Sequence, residues 1–324
     1  MLSKYLHRTE IHPFKSLKTT LRELTFDVYM LSDDKKKIIY ITSSDIIPYI
    51  IKIIYGNDND VSTTKIKRIY AYELKKFADR QDTVLIDMHK YFARFFDDGF
   101  LVPPFVRQAA YIDKSTDKTI KMNGSDLRKM RKYSYEISND LDALKFFYEK
   151  MYAPYIKKRY GDSAYIKNFN DLEKILKNGE LIFVKLDGEY VSGALCEISD
   201  NVYYCRKNGV LDESFIKEGA LVATYYFSVL RAKEKDIKIV DFGQSRPFLS
   251  DGVLRHKNHW GAKICEDKTI DRIIYSRNIF EQPFIYVEDK KLKVAVFSEN
   301  DKLTKEYARS GLEFNVINKI TEKK

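Results

Sequence analysis

The chain has 324 residues, which is enough for one large domain or two ordinary ones with a substantial hydrophobic core. Its residues are 44% apolar and 32% charged, a balance that is typical of folded chains and excludes a disordered one. The formal net charge of +10 indicates either an anionic partner (nucleic acid, a phosphorylated cofactor or an acidic membrane surface) or simply a solvated basic surface.

The cysteines and the apolar runs indicate which cellular compartment to expect for the protein. The 3 cysteines form no CxxC pair, so the sequence favours neither a disulfide framework nor a cysteine zinc site and fits a reducing compartment. The first residues, MLSKYLHRTEIHPF, lack the apolar core of a signal peptide. The longest apolar stretch, residues 46–55, is interrupted by Lys52 and is too short to span a bilayer. We therefore expect a cytoplasmic protein without a membrane span.

Strands and helices alternate along the sequence. β-Branched and aromatic runs bounded by turn residues predict strands at residues 37–42, 83–87, 181–186, 190–198, 202–210, 237–242, 271–275, 284–287 and 292–297. Helical spacing of apolar residues predicts helices after Asp140, over 170–176, from about Gly219 and over 301–308. Pro154 should kink or end the first of them. The alternation predicts a mixed α/β (α+β) protein.

One polar segment divides the predicted elements into two groups. Residues 113–125, DKSTDKTIKMNGS, carry no periodic apolar pattern and include Gly124. We expect an N-terminal domain of residues 1–124 and a larger C-terminal domain of residues 125–324.

Residues 181–261 are the most informative part of the sequence. Asp187 and Gly188 suit a tight hairpin turn between the first two strands of this part. A third strand follows, and then the loop LDESFIKEG leads into the helix near Gly219. The positive end of a helix favours a phosphate chain, and Lys217 would add charge there. A plain helix cap is the alternative explanation of Gly219.

This strand–loop–helix–strand order resembles the acyl-carrier-binding core of the GNAT superfamily. Four motifs are similar to Fem-like and related acetyltransferase-like proteins: VPPFVRQ (102–108), LRKMRKYSYEIS (127–138), FFYEKMYAPYIKKRYG (146–161) and DFGQSRPFLSDGVLRHKNHWG (241–261). The resemblance covers about residues 80–265. It implies two GNAT-like domains, each with a mixed central sheet flanked by helices. It also implies an N-acyltransferase that moves an acyl group from acyl-CoA to an amino group of a small metabolite, amino sugar or peptide precursor.

The loop before the helix departs from the family pattern. GNAT loops read Arg/Gln-x-x-Gly-x-Gly/Ala, whereas this loop, SFIKEGA, has one glycine and an acidic residue, Glu218. Family members with altered loops include enzymes that use aminoacyl-tRNA, so a Fem-like aminoacyl (peptidyl) transferase is the alternative. A non-catalytic RNA-binding protein on the same fold is a second alternative, because basic clusters such as residues 128–132 alternate with tyrosines. In every case the donor is a substrate, and no permanently bound cofactor is implied.

The resemblance also implies two catalytic residues. Lys257 matches the lysine of the late motif and would stabilise charge at the reacting carbonyl. Asp241 ends a predicted strand, where it would accept a proton or orient the amine. An exposed lysine and a turn-stabilising aspartate are the respective alternatives.

Further residues are candidates for binding the two substrates. The donor would contact Lys217, Gly219, Ala220 and Arg206. The acceptor would contact Ser245 and Arg246, and Arg246 has an ion pair with Asp251 as its alternative role. His256 and His259 form HxxH, but no further ligands with suitable spacing accompany them, so we expect no metal site.

Overall fold

The computed structural model describes residues 24–44, 46–56, 60–112, 128–161, 164–267, 269–297 and 312–316. These residues form sixteen strands: β1 Thr25–Ser32, β2 Lys37–Thr42, β3 Ser62–Tyr70, β4 Val84–His89, β5 Phe100–Val102, β6 Val106–Tyr111, β7 Tyr133–Ser138, β8 Gly179–Leu186, β9 Glu189–Ser199, β10 Val202–Val210, β11 Ile239–Ser245, β12 Lys263–Glu266, β13 Arg272–Arg277, β14 Phe284–Glu288, β15 Lys291–Val296 and β16 Glu313–Val316. The α-helices are α1 Ile47–Tyr55, α2 Leu74–Ala78, α3 Leu141–Phe146, α4 Ala153–Tyr160, α5 Phe169–Leu176, α6 Ser214–Glu218, α7 Ala220–Glu234 and α8 Gly252–His259.

The contacts between residues divide the chain into two units. The central unit comprises the described residues of Arg107–Gln244 and His256–Ile264. The terminal unit comprises those of His7–Val106, Ser245–Arg255 and Cys265–Lys324. This division is discontinuous, whereas the sequence analysis expected one boundary between residues 124 and 125. That boundary itself lies outside the described residues.

The terminal unit is built on a nine-stranded sheet in the order β16-β15-β14-β5-β13-β4-β2-β1-β3. The β2–β4 and β15–β16 pairs are parallel, and the other pairs are antiparallel. Because β13 pairs with β4, strands from both sides of the central segment share one sheet. A buried ion pair joins them: Arg272 Nε lies 2.8 Å from Oδ1 of Asp87, whose side chain is fully buried.

The central unit is built on a seven-stranded sheet in the order β12-β6-β11-β10-β9-β8-β7. Strands β7 to β10 are successive antiparallel neighbours, whereas β10 and β11 are parallel and are connected through α6 and α7. One face of the sheet packs on α7, through residues such as Ala223 and Phe227. The other face packs on α3, α5 and the π-helical turn Phe147–Tyr152, through residues such as Leu144 and Leu172.

Local sequence signals explain several of these elements. The side chain of Asp140 accepts a hydrogen bond from the Ala143 backbone N–H at 3.1 Å and so caps α3, as predicted. Asn168 caps α5 in the same way. Asp187 and Gly188 have φ angles of 52° and 89°, which confirms the predicted hairpin turn between β8 and β9.

The fold class is confirmed: the protein is mixed α/β, with two mixed sheets flanked by helices. Several details differ from expectation. The predicted loop before α7 contains the short helix α6, which Gly219 joins to α7 with φ 102°. The chain does not leave the helical conformation at Pro154, because the π turn leads directly into α4 and Pro154 lies in the first turn of α4. The predicted helix at residues 301–308 lies outside the described residues.

Candidate active site

Strands β10 and β11 stop pairing before either strand ends. Their parallel register runs from Val202 opposite Ile239 to Tyr204 opposite Asp241, and it includes no later pair among the described residues. Strand β10 nevertheless continues to Val210, and β11 continues to Ser245. The carboxyl-terminal halves of two parallel neighbours thus leave their shared ladder, at the sheet edge where α/β proteins commonly bind ligands.

A bulge in β10 lies at the same level. Cys205 pairs with Cys196 and Lys207 pairs with Leu195, so Arg206 is an extra residue in the register with β9. Arg206 Nε lies 2.6 Å from Glu197 Oε2, and the guanidinium lies 4.2 Å from the centre of the Tyr204 ring. The structure therefore places this candidate donor residue beside the end of the β10–β11 ladder.

Asp241 is fixed by two hydrogen bonds. Only 1% of the residue is exposed. Its Oδ2 accepts a hydrogen bond from Arg107 Nη1 at 2.9 Å, and its Oδ1 accepts one from the Gly243 backbone N–H at 2.7 Å. Arg107 belongs to β6, the neighbour of β11 on the side away from β10. Arg107 and Asp241 therefore form a nearly buried ion pair at the end of the ladder.

Lys257 is a buried lysine, with 3% of the residue exposed, which rules out the alternative of an exposed one. It lies on α8, and its Nζ donates a hydrogen bond to the carbonyl oxygen of Gln244 at 2.7 Å. Gln244 follows Asp241 by three residues on β11. The two candidate catalytic residues are thus both buried and both contact the last residues of β11.

Three of the candidate donor residues lie at the start of α7. Lys217 is exposed on α6, Gly219 has the left-handed conformation, and Ala220 is fully buried as the first residue of α7. The carbonyl oxygen of Ala220 accepts a hydrogen bond from Ser192 Oγ at 3.1 Å. The helix start is thereby fixed to β9.

The acidic residue of this loop has a partner. Lys132 Nζ lies 3.3 Å from Glu218 Oε2, and both side chains are partly exposed. Tyr133 also donates its hydroxyl to the Glu218 carbonyl oxygen at 3.0 Å. Segment 132–133 therefore lies beside the α7 start, although the sequence analysis did not connect the two.

The candidate acceptor residues belong to the terminal unit. Ser245, the last residue of β11, is 4% exposed. Arg246 Nε lies 3.9 Å from Asp251 Oδ2, so the alternative role of Arg246 as an ion-pair partner is present. Asp251 also accepts a hydrogen bond from the Leu254 backbone N–H at 2.9 Å and so caps α8.

Sequence reasoning missed two features of the central unit. Lys207 is half-buried on β10, and burial, followed by the charges of Lys167 and Arg206, lowers its pKa to about 8. Asn208 donates its side-chain N–H to the Tyr225 hydroxyl at 3.3 Å, and the Tyr225 ring packs 5.3 Å from that of Phe242. No local sequence pattern predicts either contact, because the residues meet only when β10, α7 and β11 assemble.

Within the described ranges, no helix is both long and apolar enough to cross a lipid bilayer. The same ranges contain no group of three or more histidine, cysteine, aspartate or glutamate side chains placed to hold a metal ion.

A family model confirms the resemblance drawn from the sequence motifs. Residues 114–257 match the family described as "Acetyltransferase (GNAT) domain". The matched segment includes β10, α6, α7, β11 and most of α8 up to Lys257. This part of the chain is therefore similar to GNAT domains. No protein in the curated set matches significantly.

Solved structures similar to this chain include a crystal structure of FemX, with 17% identity over 78% of this chain and 84% of that one and a TM-score of 0.43. Another is L-PGS from Bacillus licheniformis, with 11% identity over 78% and 82% and a TM-score of 0.40. A third is a GCN5-related N-acetyltransferase from Sphaerobacter thermophilus, with 11% identity over 80% and 78% and a TM-score of 0.37.

Proposed function

Because residues 114–257 match the family of GNAT acetyltransferase domains, we propose that this chain is an N-acyltransferase that transfers an acyl group from acyl-CoA to an amino group of a small metabolite, amino sugar or peptide precursor. The observation that carries the proposal is the end of the β10–β11 ladder at Asp241, between two parallel strands that α6 and α7 connect. Strands that part in this way leave room for an extended chain between them, and a helix start favours the phosphates of that chain.

The chemistry needs orientation and charge stabilisation more than a dedicated nucleophile. The neutral amine attacks the acyl carbonyl, and negative charge develops on the carbonyl oxygen. The carbon–sulfur bond then breaks, the nitrogen loses a proton, and the leaving thiolate takes up a proton to give the free thiol of the carrier. We assign stabilisation of that oxygen to the Lys257 ammonium, whose hydrogen bond to Gln244 fixes its position. We assign orientation of the amine to Asp241, which Arg107 and the Gly243 N–H hold in place.

We assign donor binding to Lys217, Gly219, Ala220 and Arg206, and acceptor binding to Ser245 and Arg246. Aminoacyl-tRNA is the second candidate donor, and one observation favours it. The segment before α7 has one glycine and carries the carboxylate of Glu218, which Lys132 partly offsets. The net charge of +10 would suit tRNA as well as CoA, because both carriers are rich in phosphate.

Thermal unfolding in the presence of each carrier tests the donor. A ligand that binds only the folded protein stabilises it by about 2.7 kcal/mol at a hundred times its Kd. Parallel melts with CoA, acetyl-CoA and aminoacylated tRNA therefore separate the candidates. Stabilisation by the CoA species alone supports the proposal, stabilisation by tRNA alone moves the protein to aminoacyl transfer or RNA binding, and no shift with any carrier contradicts all three functions.

Lys257→Met should lower kcat/KM for acyl transfer by about 100-fold or more, because removal of one donor to a developing oxyanion has that effect in other enzymes. Methionine keeps most of the buried stem, so folding should be affected less than with alanine. Steady-state kinetics measure the first effect and urea unfolding the second. Lys263→Met, at an exposed position of β12, is the matched control. An unchanged kcat/KM in the Lys257 variant would remove this residue from the mechanism.

A further inference from the structure

Lys207 lies on the sheet of the central unit, on the face that packs against α3, α5 and the π turn. It pairs across the sheet with Leu195, whose side chain belongs to the apolar cluster under α3, α5 and the π turn. Its Nζ lies 5.8 Å from the centre of the Tyr152 ring. Two residues later, Gly209 lies so close to the π turn that a Cβ atom there would be 2.8 Å from the Met151 carbonyl carbon. The lysine amine is therefore confined on the face of the sheet that the helices α3 to α5 cover.

The charged groups around this amine have the same sign as the amine. Lys167, just before α5, and Arg206, at the bulge of β10, both act on it as positive charges. The other titratable neighbour is Tyr152, whose pKa is raised by burial and which is therefore uncharged at neutral pH. Among the described residues, Lys207 has no carboxylate within ion-pair distance, and the nearby Glu197 is bonded to Arg206.

Tyr152 contacts the side chain of Lys207 and the backbone of Lys167. Its ring faces Lys207, while its hydroxyl accepts a hydrogen bond from the Lys167 backbone N–H at 3.2 Å. Arg206 precedes Lys207 directly, at a bulge that changes the direction of side chains along the strand. A half-buried ammonium without a counter-ion is unfavourable, and groups perturbed in this way are commonly functional. An anion bound between these groups would supply the missing charge.

We propose that Lys207 and Lys167 form a subsite for an anionic group, a carboxylate or a phosphate, carried by the amine acceptor. The assignment of the anion to the acceptor rests on the proposed acyl transfer, whereas anion binding itself does not. The subsite limits the acceptor to molecules that carry an acidic group besides the amine, such as amino acids, peptides or phosphorylated amino sugars.

The reactivity of Lys207 toward a soluble acylating reagent tests the subsite without any enzymatic turnover. The wild-type protein is treated with limiting acetic anhydride near pH 8, and the acetylation rate of each lysine is measured by peptide mass spectrometry. The reaction is repeated with inorganic phosphate, with acetate and with chloride at equal ionic strength. A bound counter-ion raises a lysine pKa by about one unit or more, so Lys207 should react several-fold more slowly, up to about tenfold.

The arms of this experiment distinguish the two anions. Protection by phosphate alone indicates a phosphorylated acceptor, protection by acetate alone indicates a carboxylate, and either result supports the subsite. Lys263, which is exposed on β12, is the internal control and should react equally in all three salts. Equal reactivity of Lys207 in phosphate, acetate and chloride would overturn the proposal. Protection of Lys207 without any acyl transfer would support the anion subsite and contradict the proposed function.

Lys207→Met and Lys167→Met provide the second measurement. Because the Lys207 pKa is lowered in the folded state, the unfolded chain binds more protons at pH values between about 8 and the ordinary lysine value near 10.4. The resulting destabilisation is complete below pH 8 and disappears as the pH rises toward 10.4, so Lys207→Met should raise Tm more at pH 7 than at pH 10. Once an acceptor is known, both variants should raise its KM and change kcat little. A loss of kcat with unchanged KM would contradict a binding role.

Discussion

Replacing Arg107 with methionine is expected to lower the free energy of unfolding by about 3–5 kcal/mol, because it leaves the Asp241 carboxylate buried without its cationic partner. Asp241 is only 1% exposed, and the Arg107 side chain is 12% exposed. In the lost ion pair, Arg107 Nη1 lies 2.9 Å from Asp241 Oδ2. Because the carboxylate is buried, water would be a poor substitute for the missing guanidinium. Urea unfolding followed by the fluorescence of Trp260, the single tryptophan, reports on the central unit that contains both residues.

The double variant Arg107→Met/Asp241→Asn is the matched control. It removes both charges, so most of the penalty for an unpaired carboxylate should disappear, and the double variant should be more stable than Arg107→Met alone. Acyl transfer should remain impaired in both variants, because each disturbs the group assigned to orient the amine. Equal stability of the single and double variants would show that the Asp241 charge is not buried as the structure has it.

Gly209→Ala is expected to destabilise the central unit by about 1–3 kcal/mol through overpacking. The added Cβ atom would lie 2.8 Å from the Met151 carbonyl carbon, from the Met151 Cβ and from the Tyr152 backbone nitrogen. These are atoms of the π turn and its backbone, so they cannot rotate away as the end of a long side chain could. The same urea experiment measures the effect, and acyl transfer should fall as well because β10 and the π turn would have to separate.

Gly252→Ala is the same kind of substitution, but it is expected to stabilise the protein rather than destabilise it. A Cβ atom at Gly252 meets nothing within 4 Å, and the residue begins α8. Alanine reduces the conformational freedom of the unfolded chain and favours helix, which stabilises a protein by about 0.4–1 kcal/mol at compatible positions. If both glycine variants lost the same stability, the close approach of β10 to the π turn would not be the cause.

The sequence predicted best where the local pattern and the turn chemistry agree. Strand β10 was predicted with its observed bounds, and β8 and β9 within two residues, because apolar runs flank an Asp-Gly turn. Strand β3 was missed because nearly all of its residues are exposed, so it lacks the apolar alternation on which the prediction depends. Helix α1 was missed because its short apolar run, interrupted only by Lys52, could equally be a buried strand.

The candidate site was only partly predictable for a different reason. Asp241 and Lys257 were found because each lies in a motif that can be recognised along the chain. Arg107 is 134 residues away from Asp241 in the sequence, and only the neighbouring positions of β6 and β11 bring them together. Lys207 has no sequence signal at all, since its unusual environment arises from a bulge in β10 and from Tyr152 on another element. Their roles remain predictions that the variants above test.

The ion pair between Asp87 and Arg272 implies an order in which the two units fold during translation. Asp87 is fully buried in the terminal sheet, and the guanidinium that neutralises it belongs to a residue 185 positions later. At translation speeds of about 5–20 residues per second, β4 would wait about 10–40 s for β13 to emerge. The central unit is synthesised in that interval and contains its own core. The nascent chain would therefore complete its middle first, while the early strands of the terminal sheet present an unpaired edge to chaperones.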